Sequence, residues 1–182
     1  MKGGLRVAQT EELETADVAA ISALCAAAFD EPWDDAWDKV GPGVHVYASE
    51  AGQILAHALI VDRRLYLGHE PDLALDVGYV EWVATRPELQ GQGHGTAVMR
   101  EIGRIISDEY VLGALATGSN AFYERLGWET WRGPTFVRMP DGQRVRSVDQ
   151  DGDVMVLRTP RTPEPIDLAG PIAIDWRAEE PW

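Results

Sequence analysis

The stretch that most limits how this chain can fold is residues 90–95, Gln-Gly-Gln-Gly-His-Gly, because of what stands on either side of it. Before it, Leu73–Thr85 is rich in apolar and β-branched residues and reads as a long strand, with Gly78 marking a bulge or bend. After it, residues 96–110 repeat apolar positions at helical spacing, and residues 111–116 form a short apolar run that reads as a buried strand. The order strand, glycine loop, helix, strand belongs to an α/β fold. It also exposes backbone N–H groups at a helix N-terminus, where the helix dipole favours negative charge, so the loop is a candidate phosphate cradle. It lacks the lysine-serine/threonine pair of a nucleoside-triphosphate loop. Nor does it open the chain with an acidic residue about 20 positions on, as dinucleotide binding requires.

The rest of the chain fits around this unit. Thr15–Phe29 is predicted as a helix with Thr15 at its N-cap, and residues 30–39 as a short helix or loop carrying Trp33 and Trp37. Strands are expected over 44–49 and 54–61, joined by a turn at 50–52, and again over 128–137 and 154–157. A short helix is expected over 119–126, ended by Gly127. Residues 139–152 read as a mobile hairpin or loop, and the proline-rich residues 159–171 as extended chain. With 182 residues and no linker-like segment, one domain over 1–182 is expected.

The formal charge of −14 argues against nucleic acid or an anionic membrane as a partner and suits a cationic substrate. No apolar run approaches the roughly 20 residues of a membrane span, and the chain start lacks a secretion signal, so a cytoplasmic protein is expected. The single cysteine, Cys25, falls in the alanine-rich helix and reads as a buried structural thiol. His45, His57, His69 and His94 are not spaced as metal ligands, and no metal is expected.

The segment Val-Glu-Trp-Val-Ala-Thr-Arg-Pro-Glu-Leu-Gln-Gly-Gln-Gly-His-Gly resembles motif A of the GNAT superfamily. Its pattern Gln/Arg-x-x-Gly-x-Gly/Ala falls on Gln90, Gly93 and Gly95. Downstream, Asn120 to Trp128 (Asn-Ala-Phe-Tyr-Glu-Arg-Leu-Gly-Trp) resembles the second signature of that superfamily. Residues 56–66, 78–86, 112–115 and the ending Asp-Trp-Arg-Ala-Glu-Glu-Pro-Trp narrow the likeness to the aminoglycoside 2'-N-acetyltransferases. This resemblance implies a GNAT fold, with a mixed, mostly antiparallel central sheet flanked by helices. It implies acetyl-CoA as cofactor, a polycationic aminoglycoside as substrate and a homodimer. It also implies a tail, about 159–182, that borders the substrate.

Cofactor contacts then fall on Val83, Ala84 and Thr85 at the strand end, on Gln90, Gly91, Gln92, Gly93, His94 and Gly95 in the loop, and on Asn120. Acetyl transfer to an amine requires removal of the ammonium proton, a polarised thioester carbonyl and a proton for the departing thiolate. The resemblance gives these tasks to Glu81, to the backbone N–H near Val83 and to Tyr123. Trp82 stands where mycobacterial relatives have a small glycine, and would narrow the sugar site. Substrate contacts are expected at Glu31, Asp34, Asp35, Glu81, Trp82, Thr117, Asp151, Glu180 and Trp182, with Asp149, Asp153 and Glu179 as further candidate acids. Two other readings stay open: an acetyltransferase for another small amine or a protein N-terminus, and a non-catalytic acyl-CoA-binding module.

Overall fold

The computed structural model describes residues 4–33, 36–69, 71–178 and 180–182. In chain order the elements are β1 (Gly4–Gln9), α1 (Thr15–Phe29), α2 (Ala36–Val40), β2 (Val44–Glu50), β3 (Gln53–Leu67), β4 (Leu73–Thr85) and α3 (His94–Glu109). There follow β5 (Leu112–Ala116), α4 (Asn120–Glu124), β6 (Glu129–Thr130), β7 (Thr135–Arg138), β8 (Arg144–Arg146), β9 (Val154–Arg158) and β10 (Ile172–Asp175). Contacts divide the chain into two compact units: residues up to Val61 with Val80–Arg104, and Asp62–Tyr79 with Ile105–Trp182.

In the first unit, β1 and β2 pair antiparallel, and β2 pairs antiparallel with the first part of β3. The β2–β3 turn is tight because Ala51 and Gly52 both take positive φ, 49° and 82°, as hairpin connections of matching twist require. Helix α1 lays Ile21, Leu24 and Cys25 against Tyr47, Ile54 and Ala84. Its N-cap is Glu14, without a side-chain cap bond, and Thr15 is already helical. The threonine cap expected from the sequence is therefore one residue out of place. Helix α3 is amphipathic as read, with Val98, Met99, Ile102, Ile105 and Ile106 buried and Arg100 and Arg104 exposed.

In the second unit the strands pair in the order β6, β9, β5, β4 and, on the other side, β3, β10, β7, β8. Two pairs are parallel, β4 with β5 and β10 with β7; the rest of those registered here run antiparallel, so the sheet is mixed and mostly antiparallel. The single strand expected over 128–137 is broken between β6 and β7. At Gly133 an added Cβ would stand 1.8 Å from the Gly170 carbonyl oxygen, so the chain passes too close to its neighbour to carry a side chain. Residues 139–152 form the β7–β8 hairpin and a turn, tied down where Asp151 accepts from Thr135. Two strands were not foreseen, β1 and β10. Among the described residues, no helix is long and apolar enough to cross a membrane.

Candidate active site

The glycine loop is shorter than its sequence suggests. Helix α3 begins at His94, two residues before the predicted start, so Gly95 lies in its first turn. The Ala97 N–H bonds the Gly93 carbonyl at 2.9 Å, which leaves the amides of His94, Gly95 and Thr96 as the donors that a helix start cannot satisfy within itself. Gly91 and Gly93 take φ of 76° and 91°, and an added Cβ at either would meet nothing within 4 Å. The loop is open, carries two left-handed glycines and ends on free helical amides, a donor set that fits the diphosphate of a nucleotide-bearing cofactor. The Arg86 N–H and Nε hold the carbonyls of Leu55 and Ile54 at 3.0 and 2.9 Å, anchoring the turn that leads into the loop.

Upstream of the loop, Glu81, Trp82, Val83, Ala84 and Thr85 end β4. The irregularity expected at Gly78 sits at Trp82 instead, whose φ is 54°. Gly78 is an ordinary strand residue paired with Gly113. A left-handed residue inside a strand reverses the local alternation and re-aims the groups beside it, here Glu81 and the Val83 amide. Trp82 is half-buried and makes edge contacts with Trp33 and Trp37 at ring distances of 5.4 and 5.0 Å. Phe29 stacks on Trp33 at 5.0 Å, and Trp37 Nε1 donates to Ser22 Oγ at 2.8 Å. An aromatic wall therefore forms around Trp82, the residue after Glu81 in β4. Glu31, at the end of α1, is exposed. Asp34 and Asp35, expected as substrate contacts, lie outside the described residues.

Beneath this wall are two groups that the sequence reading left without a role. His45 and His57 are fully buried, with His45 Nδ1 2.9 Å from His57 Nε2. His57 Nδ1 lies 3.1 Å from the Trp82 carbonyl oxygen, and His45 Nε2 lies 3.0 Å from Thr10 Oγ1. Burial pushes both imidazoles down, His45 to about 4 and His57 to about 3, where the neighbouring His45 adds to the effect and the bond to Trp82 opposes it. The pair is neutral at physiological pH. A signal existed in the sequence: folding 44–49 onto 54–61 about a turn at 50–52 makes the two histidines diagonal neighbours on one face, and the register confirms His45 opposite Leu59 and Tyr47 opposite His57.

In the second unit Tyr123 is buried, with its ring edge-on to Phe122 and Trp128. Burial pushes its phenol up to about 12, partly offset by a hydrogen bond with Thr117. The hydroxyl therefore keeps its proton throughout the neutral range. Thr117 Oγ1 also accepts from the Ser119 N–H at 3.0 Å, so this hydroxyl is engaged with the phenol and the α4 turn. Asn120 spends its amide N–H groups on Thr130 Oγ1 and the Gly152 carbonyl, at 3.1 and 2.8 Å. Asp151 takes a bidentate bond from Arg146 and two from Thr135, which hold its carboxyl far below the usual range. These bonds make it a fastener of the β7–β8 hairpin. Asp149 and Glu180 are exposed, Asp153 is half-buried, and Glu179 lies outside the described residues. The tail is fixed by Arg63, whose guanidinium donates to the carbonyls of Asp175 and Pro181 at 2.8 Å each. Trp182 is buried, with Nε1 3.2 Å from Ser147 Oγ. Among the described residues, no group of three or more His, Cys, Asp or Glu is arranged to hold a metal ion.

Residues 6–131 match the acetyltransferase (GNAT) domain family. The chain belongs to the GNAT family of acetyltransferases. Across its whole length this GNAT chain is 34% identical, over 190 residues and 95% of the relative, to an aminoglycoside 2'-N-acetyltransferase of Mycolicibacterium fortuitum. Among solved structures it is similar to the Escherichia coli GNAT N-acetyltransferase YhbS in complex with CoA, with a TM-score of 0.65 and 16% identity over 94% of this chain and 88% of that one. It is also similar to the Escherichia coli ribosomal-protein-S18-alanine N-acetyltransferase, with a TM-score of 0.57 and 21% identity over 90% and 99% of the two chains. The fold class expected from the sequence, a GNAT α/β fold with a mixed sheet, is the one found. GNAT enzymes use acetyl-CoA, and the open glycine loop suits its diphosphate.

Proposed function

We propose that this acetyltransferase moves the acetyl group of acetyl-CoA directly to the 2'-amine of an aminoglycoside. The observation that carries the reading is the full-length match to an aminoglycoside 2'-N-acetyltransferase. The GNAT domain match stops at residue 131, whereas that relative matches the whole chain, including the tail after residue 158 that a general acetyltransferase has no need of.

Acetyl-CoA supplies the acetyl group as an activated thioester. The amides at His94, Gly95 and Thr96, with Gln90 to Gly93, hold its diphosphate, and Val83 to Thr85 hold its arm by strand-like pairing. Asn120, with both amide hydrogens committed, has its carbonyl oxygen left for a cofactor donor. Glu81 accepts the proton of the substrate ammonium, directly or through water. The Val83 N–H polarises the acetyl carbonyl oxygen. Tyr123, kept protonated by burial, delivers a proton to the leaving sulfur. The acidic residues Glu31, Asp34, Asp35, Asp151 and Glu180, with Trp182 and Thr117, are assigned to the polycationic substrate, with the tail 159–182 on the drug side. The same reading takes the protein as one domain over 1–182, a homodimer in the cytoplasm that needs no metal.

Incubation with acetyl-CoA and tobramycin, against an aminoglycoside whose 2' position is a hydroxyl, tests this. Acetylated product is expected only from the drug with the 2'-amine, and Tyr123→Phe should lower its kcat by roughly a hundredfold. Equal turnover of both drugs overturns the regiochemistry. The aromatic wall of Trp33, Trp37 and Trp82 favours a second reading, in which the amine is smaller than an aminoglycoside. Turnover of a polyamine with no turnover of either drug would select it.

A further inference from the structure

We propose that His45 and His57 are positioning residues for the proposed transfer, a buried relay that grips the Trp82 carbonyl and thereby aims the Val83 N–H at the thioester oxygen. The inference rests on the proposed function for the role of that amide, and on the geometry of this chain for the rest. The Trp82 carbonyl and the Val83 N–H belong to one planar trans peptide, so they point in opposite directions and cannot be turned separately. A donor fixed on the carbonyl fixes the amide.

The hydrogen-bond path settles which way the donors run. Trp82 O is an acceptor only, so the His57 nitrogen 3.1 Å from it, Nδ1, carries a hydrogen. His57 is neutral, so its Nε2 is an acceptor, and the hydrogen in the 2.9 Å contact comes from His45 Nδ1. His45 is neutral too, so its Nε2 is an acceptor; the Thr10 hydroxyl, 3.0 Å away, has one hydrogen to share between it and the Gly43 carbonyl at 3.1 Å. Thr10 Oγ1 in turn accepts from the Gly43 N–H at 2.8 Å. Both imidazole donors, His45 Nδ1 and His57 Nδ1, therefore point toward the same peptide. The opposite tautomers would set the His57 Nδ1 lone pair against the Trp82 oxygen, two acceptors facing each other at 3.1 Å.

Aligned donors polarise one another, and a carbonyl that accepts from such a run makes the N–H of its own peptide a stronger donor. The site also needs holding: Trp82 sits at φ 54°, a conformation that side chains other than glycine leave unless their surroundings prevent it. The surroundings are closed. Both imidazoles are fully buried, and the Trp37 ring stacks on His45 at 5.4 Å. Gly43 lets the entrance of β2 lie tight against β3, since an added Cβ there would stand 2.1 Å from the Ile60 carbonyl oxygen.

A merely structural histidine pair would change stability and leave the kinetics of folded protein alone. The test compares His57→Asn, whose amide nitrogen can replace Nδ1 as donor, with His57→Leu, which removes the donor, using acetyl-CoA and tobramycin. The leucine variant should lose roughly tenfold or more in kcat with little change in the KM for acetyl-CoA, and the asparagine variant should keep most of the wild-type kcat. A folded leucine variant with wild-type kcat, or equal losses in both variants, overturns the relay. Wild-type protein that acetylates no amine overturns the functional reading instead. Nitrogen NMR of the native 15N-labelled protein needs no variant to fold: hydrogen on Nδ1 of both His45 and His57 is expected, and hydrogen on Nε2 of His57 overturns the proposal.

Discussion

Trp82 holds φ 54° inside a strand, where an L side chain costs about 1–2 kcal/mol relative to right-handed or extended backbone. The side chain offsets this through its contacts with Trp33 and Trp37, and the carbonyl through its bond from His57. Replacing the indole therefore separates the two effects. Trp82→Ala loses the aromatic packing and keeps the backbone cost, whereas Trp82→Gly loses the packing and relieves the backbone. The glycine variant should be the more stable of the two by about 1 kcal/mol in urea unfolding. An alanine variant as stable as the glycine one would mean that the left-handed turn at this position is not retained. Cys25 shows the opposite case, a residue with nothing to offset: burial pushes its thiol up to about 12 and leaves it an apolar filler on the buried face of α1.

The elements proposed to hold the cofactor differ in how their function depends on sequence. Gly91 and Gly93 are both left-handed and both face open space, so a methyl added at either strains the backbone and enters the space a diphosphate would fill. Gly93→Ala should raise the KM for acetyl-CoA by roughly tenfold while the KM for the amine moves little, measured by initial rates at varied concentrations of each. An unchanged KM for acetyl-CoA would place the diphosphate elsewhere. This loop and the strand end at Glu81 to Thr85 were legible because their signal is local: glycines and apolar periodicity lie within one short run of sequence. What was not legible is set by neighbours far along the chain. Ile172 to Ile174 of β10 are fully buried between β3 and β7, yet four residues after a proline-rich stretch carry too short a pattern to read. In β1, Leu5 and Val7 are 44% and 50% exposed, so this edge strand lacks the two-faced alternation that marks a half-buried one. The break at Gly133 depends on the Gly170 carbonyl, and the pairing of His45 with His57 on hairpin register; neither is visible in any one segment. Single acids carried the least information, as Asp151 shows: the resemblance alone suggested it as a drug contact, and nothing in the sequence announced its bonds from Arg146 and Thr135.

For the molecule as a whole, 30 acidic against 16 basic residues mean that acidification relieves charge repulsion and, taken alone, favours the folded state down toward the isoelectric point of about 4.6. The buried histidines act against this. Their folded values, about 4 for His45 and about 3 for His57, lie below the ordinary value of about 6.5 that they regain when the chain unfolds. Between those limits the unfolded chain binds protons that the folded chain refuses, so stability falls as pH falls from about 6.5 toward about 4. Asp151 has the other sign of charge but the same direction: held low by Arg146, it weakens the fold only as pH falls toward and below the ordinary carboxylate value of 3.8, so above about pH 5 the histidine window stands almost alone. A His45→Gln, His57→Asn double variant carries the same charge at neutral pH and shares the carboxylates, which makes it the proper reference for the histidine window. Between pH 7 and pH 5 the wild type should lose roughly 2 to 4 kcal/mol of unfolding free energy relative to that variant, read from urea titrations at the two pH values. Stabilities that change in parallel over this range would show that the two imidazoles titrate alike in the folded and unfolded chain, which a sealed, neutral relay does not permit.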